Sequence, residues 1–499
     1  MKKILLAIAA LALCAVSFQG EAASKSKKAD KAEKEKLASV GMVYLNNNFT
    51  RYHDLSLELH TYAETGYNEF RSSAALIKHL EENGFTVEKG VAGIPTAYVA
   101  TFGSGSPVIG ILTEYDALPG LAQDTVPYPC LPKDAPTTNG HGCGHNMMGT
   151  ASTAAAVAIS KWLAQGHQGT LKVFGCPAEE GGGGKAYMVR EGCFDGVDAV
   201  LDWHSGFSNN SNASQNLANV RVRFEFHGIP SHAAVSPEKG RSALDAVEAF
   251  NYMINMMREH VDSNSRIHYI ITDGGAAPNV VPDHAEVLYY FRHHSREVVR
   301  DLLDRALKAA EGAAMGTGTT MEYEIMNGNY ETLPNLHLAK LMNDNMQKVG
   351  GVILDERERA FAIEIMKNSG VTDTAAAFRV MREVRPFTNQ VSKSSGSSDV
   401  GNVSWVAPTN TITTSTFVPG CGGLHSWQCV ATDGTTIGTK GLMNVSRTYY
   451  LTAYDLYTHP ELLKEIREEF EQRRGPDFKF VPLMGDRKPP LDYCKDTRY

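Results

Sequence analysis

Four short segments carry side chains able to bind a divalent metal. In HGCGHN (141–146), Cys143 and His145 stand two apart, so both can reach one cavity from an extended loop, and the glycines beside them let backbone approach closely. A thiolate with an imidazole suits a borderline-soft ion such as zinc or manganese; a free cysteine among incidental histidines is the plainer alternative. PAEEGGGGK (177–185) places two carboxylates, Glu179 and Glu180, directly after an apolar run. Adjacent carboxylates repel, so a closed site needs compensating positive charge. Their side chains diverge, which lets one bind a metal while the other faces water as a base. An exposed acidic turn fits the same residues. A phosphate cradle fits poorly, because Walker spacing is missing and the acids would repel phosphate. DWHSG (202–206) and GGLHS (422–426) add His204 and His425, each of which alone is more typical of a surface or hydrogen-bonded histidine. Together the segments offer one thiolate, one carboxylate and three imidazoles, with a spare carboxylate beside them.

The elements that must hold these residues alternate. PVIGIL (107–112), TLKVFGC (170–176) and VDAVLDW (197–203) read as short buried strands, with a small-residue helix, ASTAAAVAISKWLAQG, between the first two. Strand and helix in alternation imply an α/β fold with a mostly parallel sheet covered on both faces. Sites in such sheets form beyond the carboxyl ends of the strands, which is where Glu114 to Asp116, the Glu179–Glu180 pair and His204 fall. Near residue 217 the pattern changes. NVRVRFEF sets Val220, Val222, Phe224 and Phe226 on one face and Arg221, Arg223 and Glu225 on the other, a strand with one wet side. A helix (241–259), strands at 266–272 and 286–291, a helix (297–313) and a strand (320–325) follow. This βαββαβ order predicts a ferredoxin-like α+β domain, inserted into the first because the α/β pattern resumes near Asn335. The reading divides the chain into a catalytic domain at 40–214 and 334–460, an inserted domain at 215–333 and a charged tail at 461–499. SKSSGSS (392–398) reads as a flexible loop.

Of the 499 residues 42% are hydrophobic and 21% charged, with a formal net charge of −8, which argues against a nucleic-acid partner. Lys2 and Lys3, the apolar run Ile4–Phe18 and the small residues at 22–24 predict a signal peptide over 1–23, hence export to the periplasm or beyond. The run is too short for a membrane span, and no later stretch supplies one. Residues 24–39, rich in lysine and acids, read as a solvated leader. Of the 8 cysteines Cys14 lies in that signal. An odd count in an oxidising compartment asks for one thiol with another task, and Cys143 is the candidate; Cys130, Cys176, Cys193, Cys421, Cys429 and Cys494 could pair or stay free.

Taken in order, TEYDALPG (113–120), GHGCGHN (140–146), GCPAEEGGGGKAYMVREG (175–192), DWH (202–204), PSHAAVSPEKGRSALDAVEA (230–249), APNVVPDHAEV (277–287) and GGLHS make the chain resemble the aminoacylase-type metallopeptidases, in the amidohydrolase branch with a cysteine ligand. The resemblance implies that Cys143, His145, Glu180, His204 and His425 hold two divalent ions, zinc or manganese, and that Glu179 is the general base. It implies a carboxylate at Asp116 orienting a ligand, substrate contacts at Asn279 and Arg292, and a homodimer through the inserted lid and dimerisation domain, with His232 reaching across into the partner's site. The implied reaction is hydrolysis of an amide bond in an N-acyl amino acid, an aminobenzoyl-glutamate-like compound or a small peptide. B-type members of this branch, whose Asn after CGH is shared here as Asn146, work beside an A-type partner. Two other readings remain at this point: an exported small-molecule binding protein that kept the fold without catalysis, and a thiol hydrolase with Cys143 as nucleophile.

Overall fold

A computed structural model describes residues 33–494; the expected signal peptide lies outside them. The larger sheet has six strands: β1 (Thr86–Lys89), β2 (Tyr98–Ser104), β3 (Val108–Thr113), β4 (Gly169–Gly175), β5 (Ala199–Gly206) and, near the end of the chain, β12 (Thr409–Ser415). Their order is β1-β2-β4-β3-β5-β12. Strands β4, β3, β5 and β12 run parallel, while β1 and β2 form an antiparallel edge. β3 and β4 are mostly apolar on both sides because both are covered. The helices His145–Leu163 and Thr436–Thr458 pack over one face around Ile109, Ile111, Leu201 and Ile412. The run Ala154–Ala155–Ala156, wholly buried, lets the first helix lie close. On the other face Leu112, Phe174 and Val200 meet the short helices Gly184–Arg190 and Val400–Ser404.

Between these parts stands the expected second sheet, made of β7 (Ala218–His227), β8 (Arg266–Asp273), β9 (His284–His293) and β10 (Thr320–Asn329). It is antiparallel throughout in the order β10-β7-β9-β8. Val220, Val222, Phe224 and Phe226 are fully buried under the helices Ala243–Met257 and Arg296–Thr317. Arg223, on the opposite side, pairs with Glu225 at 2.9 Å and Glu324 at 2.7 Å. The alternation divides core from the wetter side at Arg223 and Glu225, but Arg221, expected on that wet face, is itself buried, with its guanidinium over the Tyr290 ring.

One further local expectation needs correcting, and two segments gain detail. Lys36 is not part of a solvated leader: it is buried, its Nζ 2.6 Å from Asp455 and 2.9 Å from Asn345. An isolated charge run carries no sign of a partner more than four hundred residues away. The serine-rich loop also has structure, since Ser392–Lys393 forms β11, parallel to β6 (Ser214–Gln215). The tail forms the helix Pro460–Arg474 and then sends Phe478 and Phe480 against the core of the second sheet. All seven cysteines among the described residues are free thiols. Among those residues no helix is long and apolar enough to cross a membrane.

Candidate metal centre

Every sequence-predicted metal ligand reaches one place, the carboxyl end of the parallel strands, where a cavity of about 850 Å³ opens. Cys143 is delivered by the loop that follows β3. Its neighbour Gly144 has φ 75° and opens the helix His145–Leu163, and a Cβ there would lie 2.6 Å from Ser205 Oγ. Glycine is therefore demanded by both backbone and space. Gly142 accepts a hydrogen bond from the His425 N–H at 3.0 Å, and a Cβ on it would meet His425 Cα. His425 itself holds φ 62°, a left-handed conformation that costs a non-glycine residue energy. This bend brings its Nε2 to 2.9 Å from Cys143 Sγ and 3.4 Å from Glu180 Oε2.

His145 is wholly buried, and its Nδ1 donates to Asp116 Oδ1 at 3.0 Å. That bond fixes the tautomer and leaves Nε2 toward the cluster. The other Asp116 oxygen accepts from the Glu180 N–H at 3.0 Å, so one carboxylate sets two ligands. His204 lies on β5 with Nδ1 engaged by the Ser205 carbonyl at 2.7 Å, again leaving Nε2. Three overlapping groups result, Cys143–His145–His204, Cys143–Glu180–His425 and His145–Glu179–Glu180, the donor atoms within each lying inside 4.8 Å of one another. His145 Nε2 and Glu180 Oε1 are buried without a hydrogen-bond partner. Orphaned buried donors and acceptors are costly, and these sit where an ion would satisfy them. The thiolate, imidazole and carboxylate set fits zinc-type coordination.

Burial, then the Glu180 and Glu179 carboxylates, push the Cys143 thiol well up. Burial, then Glu114 and Glu180, raise Glu179 well above the usual carboxylate range. Burial would raise Asp116, yet His145 and the Glu180 N–H hold it below its ordinary value.

The sequence reading passed over the buried charges behind the cluster. Lys185, fully buried, lies 2.6 Å from both Glu114 Oε1 and Asp399 Oδ1. Glu114 in turn places Oε2 3.3 Å from His145 Nε2. Asp202, on the cavity wall, accepts from the Thr411 hydroxyl at 2.6 Å; burial and Glu114 push its carboxyl up to about 7. A lone lysine after four glycines was the available signal for Lys185; Asp399, 214 positions away, gave none.

His232, Asn279 and Arg292 do not line this cavity. His232 and Asn279 adjoin each other, the Ala233 N–H donating to the Asn279 carbonyl at 3.0 Å, while Arg292 sits on β9 with its guanidinium over the Tyr290 ring. Within one chain these three are separate from the metal-ligand cluster.

Residues 110–429 match peptidase family M20/M25/M40. The chain is 40% identical to the B-type component of the p-aminobenzoyl-glutamate hydrolase of Escherichia coli (strain K12), over 85% of this chain and 92% of that one. It is 27% identical to the Xaa-Arg dipeptidase of Mus musculus, over 84% and 88% of the two chains. Its fold resembles a dinuclear metal-binding M20 peptidase of Bacillus subtilis, with a TM-score of 0.56 and 18% identity over 82% of this chain and 98% of that one.

Proposed function

The chain belongs to peptidase family M20/M25/M40 and is a hydrolase, and from that premise we propose that it cleaves an amide bond in N-acyl amino acids of the aminobenzoyl-glutamate kind, with two divalent ions held by Cys143, His145, Glu180, His204 and His425. The observation that carries this reading is the convergence of three overlapping donor groups, one of them containing Glu179, at one cavity. When bound by those residues, divalent ions would supply Lewis acidity there. Glu179 accepts the proton of the attacking water at its carboxylate and returns it to the departing amine nitrogen. Asp116 keeps His145 in the tautomer that presents Nε2. The test is purified protein with zinc or manganese against aminobenzoyl-glutamate, N-acyl amino acids and dipeptides. Turnover should vanish with EDTA and return with added metal; full turnover by Glu179→Ala would remove the base from the reading, and binding without turnover would favour the non-catalytic alternative.

The same reading includes a homodimer through the inserted domain, with His232 completing the partner's site. It is supported by β8, an edge strand carrying exposed Ile270 and Ile271, and by exposed Tyr252 and Met256 on the helix beside it. Sedimentation should give twice the chain mass, reduced to one by Ile270→Asp. The Escherichia coli relative is the B-type component of its hydrolase, so activity should also be assayed with an A-type partner; a monomer inactive alone and active in that mixture would replace the homodimer. Export of the mature chain rests on the segment 1–23. Recovery of the uncleaved amino terminus from the cytosol would reject it.

A further inference from the structure

Directly after Glu179 and Glu180 the chain runs through Gly181, Gly182, Gly183 and Gly184. A glycine run has no side chains to fix its own path and the most conformational freedom to lose. Here it is nevertheless bent, with φ 150° at Gly181 and 70° at Gly183. The Gly182 and Gly183 N–H groups close the bend by donating to the Ala178 carbonyl at 2.9 and 2.8 Å. Whatever holds this run from outside also sets where the two carboxylates stand.

Three side chains from distant parts of the chain do so. The Tyr67 hydroxyl donates to the Gly182 carbonyl at 2.8 Å. Asn327 Nδ2, from β10, donates to the Gly181 carbonyl at 3.1 Å, and Asn327 Oδ1 lies 2.6 Å from where a Cβ on Gly183 would stand. The register of β10 shifts between Ile325 and Asn327, and such a bulge re-aims a strand residue. The third is Tyr493. Its ring meets the Tyr67 ring edge-on, with centroids 5.5 Å apart at 80°. Its Cε2 lies 3.6 Å from the Cβ position of Gly181, and among the described residues nothing else beyond the chain neighbours comes within 4 Å of that position. Gly66 leaves room for the Tyr493 hydroxyl, with which a Cβ there would collide.

The tail that delivers Tyr493 is itself anchored. Phe480 packs on Tyr330 of the inserted sheet, ring centroids 4.9 Å apart. Arg487 places Nε 2.6 Å from Glu324 Oε1 and donates from Nη1 to the Met326 carbonyl at 3.0 Å, while Arg190 of the catalytic domain donates to the Arg487 carbonyl at 2.7 Å. The tail thus crosses from the inserted sheet to the catalytic domain before it reaches the glycine run.

We infer that Tyr493 is a positioning residue for Glu179 and Glu180, acting through Tyr67 and Gly181 together with Asn327. An edge-on aromatic pair is directional, so it resists rotation of Tyr67 away from the Gly182 carbonyl. The inference rests on the proposed amide hydrolysis for the task of those carboxylates. It makes the tail, remote in sequence from every ligand, a part of the site's support.

Two measurements on the metal-loaded protein test it. The first takes kcat and KM for aminobenzoyl-glutamate in the wild type, Tyr493→Phe and Tyr493→Ala. The phenylalanine keeps the ring and should stay near wild type. Tyr493→Ala should lower kcat about 10- to 100-fold with KM little changed, the scale on which small misplacements of reacting groups act. The second measures zinc affinity by competition with a chromophoric chelator. Tyr493→Ala should bind about tenfold more weakly, as when a ligand loses its support, and Tyr493→Phe should not. Tyr493→Leu keeps apolar bulk without the ring, and replaces the alanine variant if that one melts below the assay temperature. Zinc affinity that falls in this pattern, in a protein whose wild type cleaves no amide, would sink the proposed function and leave the positioning role standing. A lowered melting temperature with wild-type kcat and zinc affinity would show a structural tie alone and overturn the role. Equal losses in Tyr493→Phe and Tyr493→Ala would overturn it too, because the ring would not be their cause.

Discussion

Asp116 Oδ1 lies 3.0 Å from His145 Nδ1 in a setting from which water is excluded on both sides. The bond decides which imidazole nitrogen faces the cluster, and the second Asp116 oxygen, 3.0 Å from the Glu180 N–H, positions another ligand at the same time. Asp116→Ala frees both at once. Losing such an orienting carboxylate typically costs about 10- to 100-fold in metal affinity. Competition with a chromophoric chelator should show the weakening, and an affinity within twofold of wild type would mean that the ligands are set without it.

Lys185 is the buried cation that Glu114 and Asp399 share. Removing one member of a buried pair strands the other, at about 3–5 kcal/mol. Lys185→Met strands two carboxylates beside Glu179, so denaturant unfolding should give an unfolding free energy lowered by that amount. Glu114→Gln together with Lys185→Met removes a stranded charge and should recover part of the loss; a double variant no better than the single would show that the lysine acts through packing alone.

Glu69 gives stability a dependence on pH. It is buried, accepts from the Ala178 N–H at 2.8 Å and the Thr96 hydroxyl at 2.9 Å, and so holds the left-handed turn at Ala178 that precedes Glu179. Burial, then the nearby Asp116, push its carboxyl from 4.5 to about 8. The folded chain therefore keeps a proton that the unfolded chain has already released above 4.5. Its contribution is full below that value and is lost as pH rises towards 8, at no more than about 1.4 kcal/mol per pH unit. Glu69→Gln retains the acceptor for Ala178 and cannot titrate. Unfolding midpoints followed from pH 5 to pH 8.5, a range chosen to span about the whole transition, should fall less in the variant, and parallel curves would clear Glu69 of this role.

How far the sequence could be read depended on where each signal resided. β7 was legible because its apolar residues alternate into the core, although Arg221 opposite them is buried as well. β1 and β2 were not, since YVATFGS mixes small and polar residues and gains its burial from pairing with β4. The five ligand side chains were recognisable together through motif order, although no one of them was convincing alone. Lys36, Asp399 and Tyr493 have meaning only through partners or surfaces distant in the chain, and a local window contains neither. The serine run at 392–398 illustrates the same limit. Its composition suggests flexibility, and only the distant pairing of Ser392–Lys393 with β6 shows that it also borders the cavity.

Gly144 separates two costs that a sequence reading merges. Alanine there must adopt φ 75°, and its Cβ must also enter space held by Ser205, 2.6 Å from Oγ and 2.8 Å from Cβ. Left-handed backbone alone costs a non-glycine residue about 1–2 kcal/mol; the clash adds to it and is relieved most readily by moving the loop that carries Cys143. Gly144→Ala should therefore lower the melting temperature and also weaken metal binding, with the cobalt-substituted protein losing intensity in its thiolate charge-transfer band. Combining it with Ser205→Gly removes the contact with β5 and leaves the backbone term and the Met147 methyl, 2.7 Å from the new Cβ at the end of a flexible side chain. The double variant should regain the cobalt band while keeping much of the thermal loss. If the band stays weak once Ser205 is gone, the approach of β5 is not what displaces Cys143.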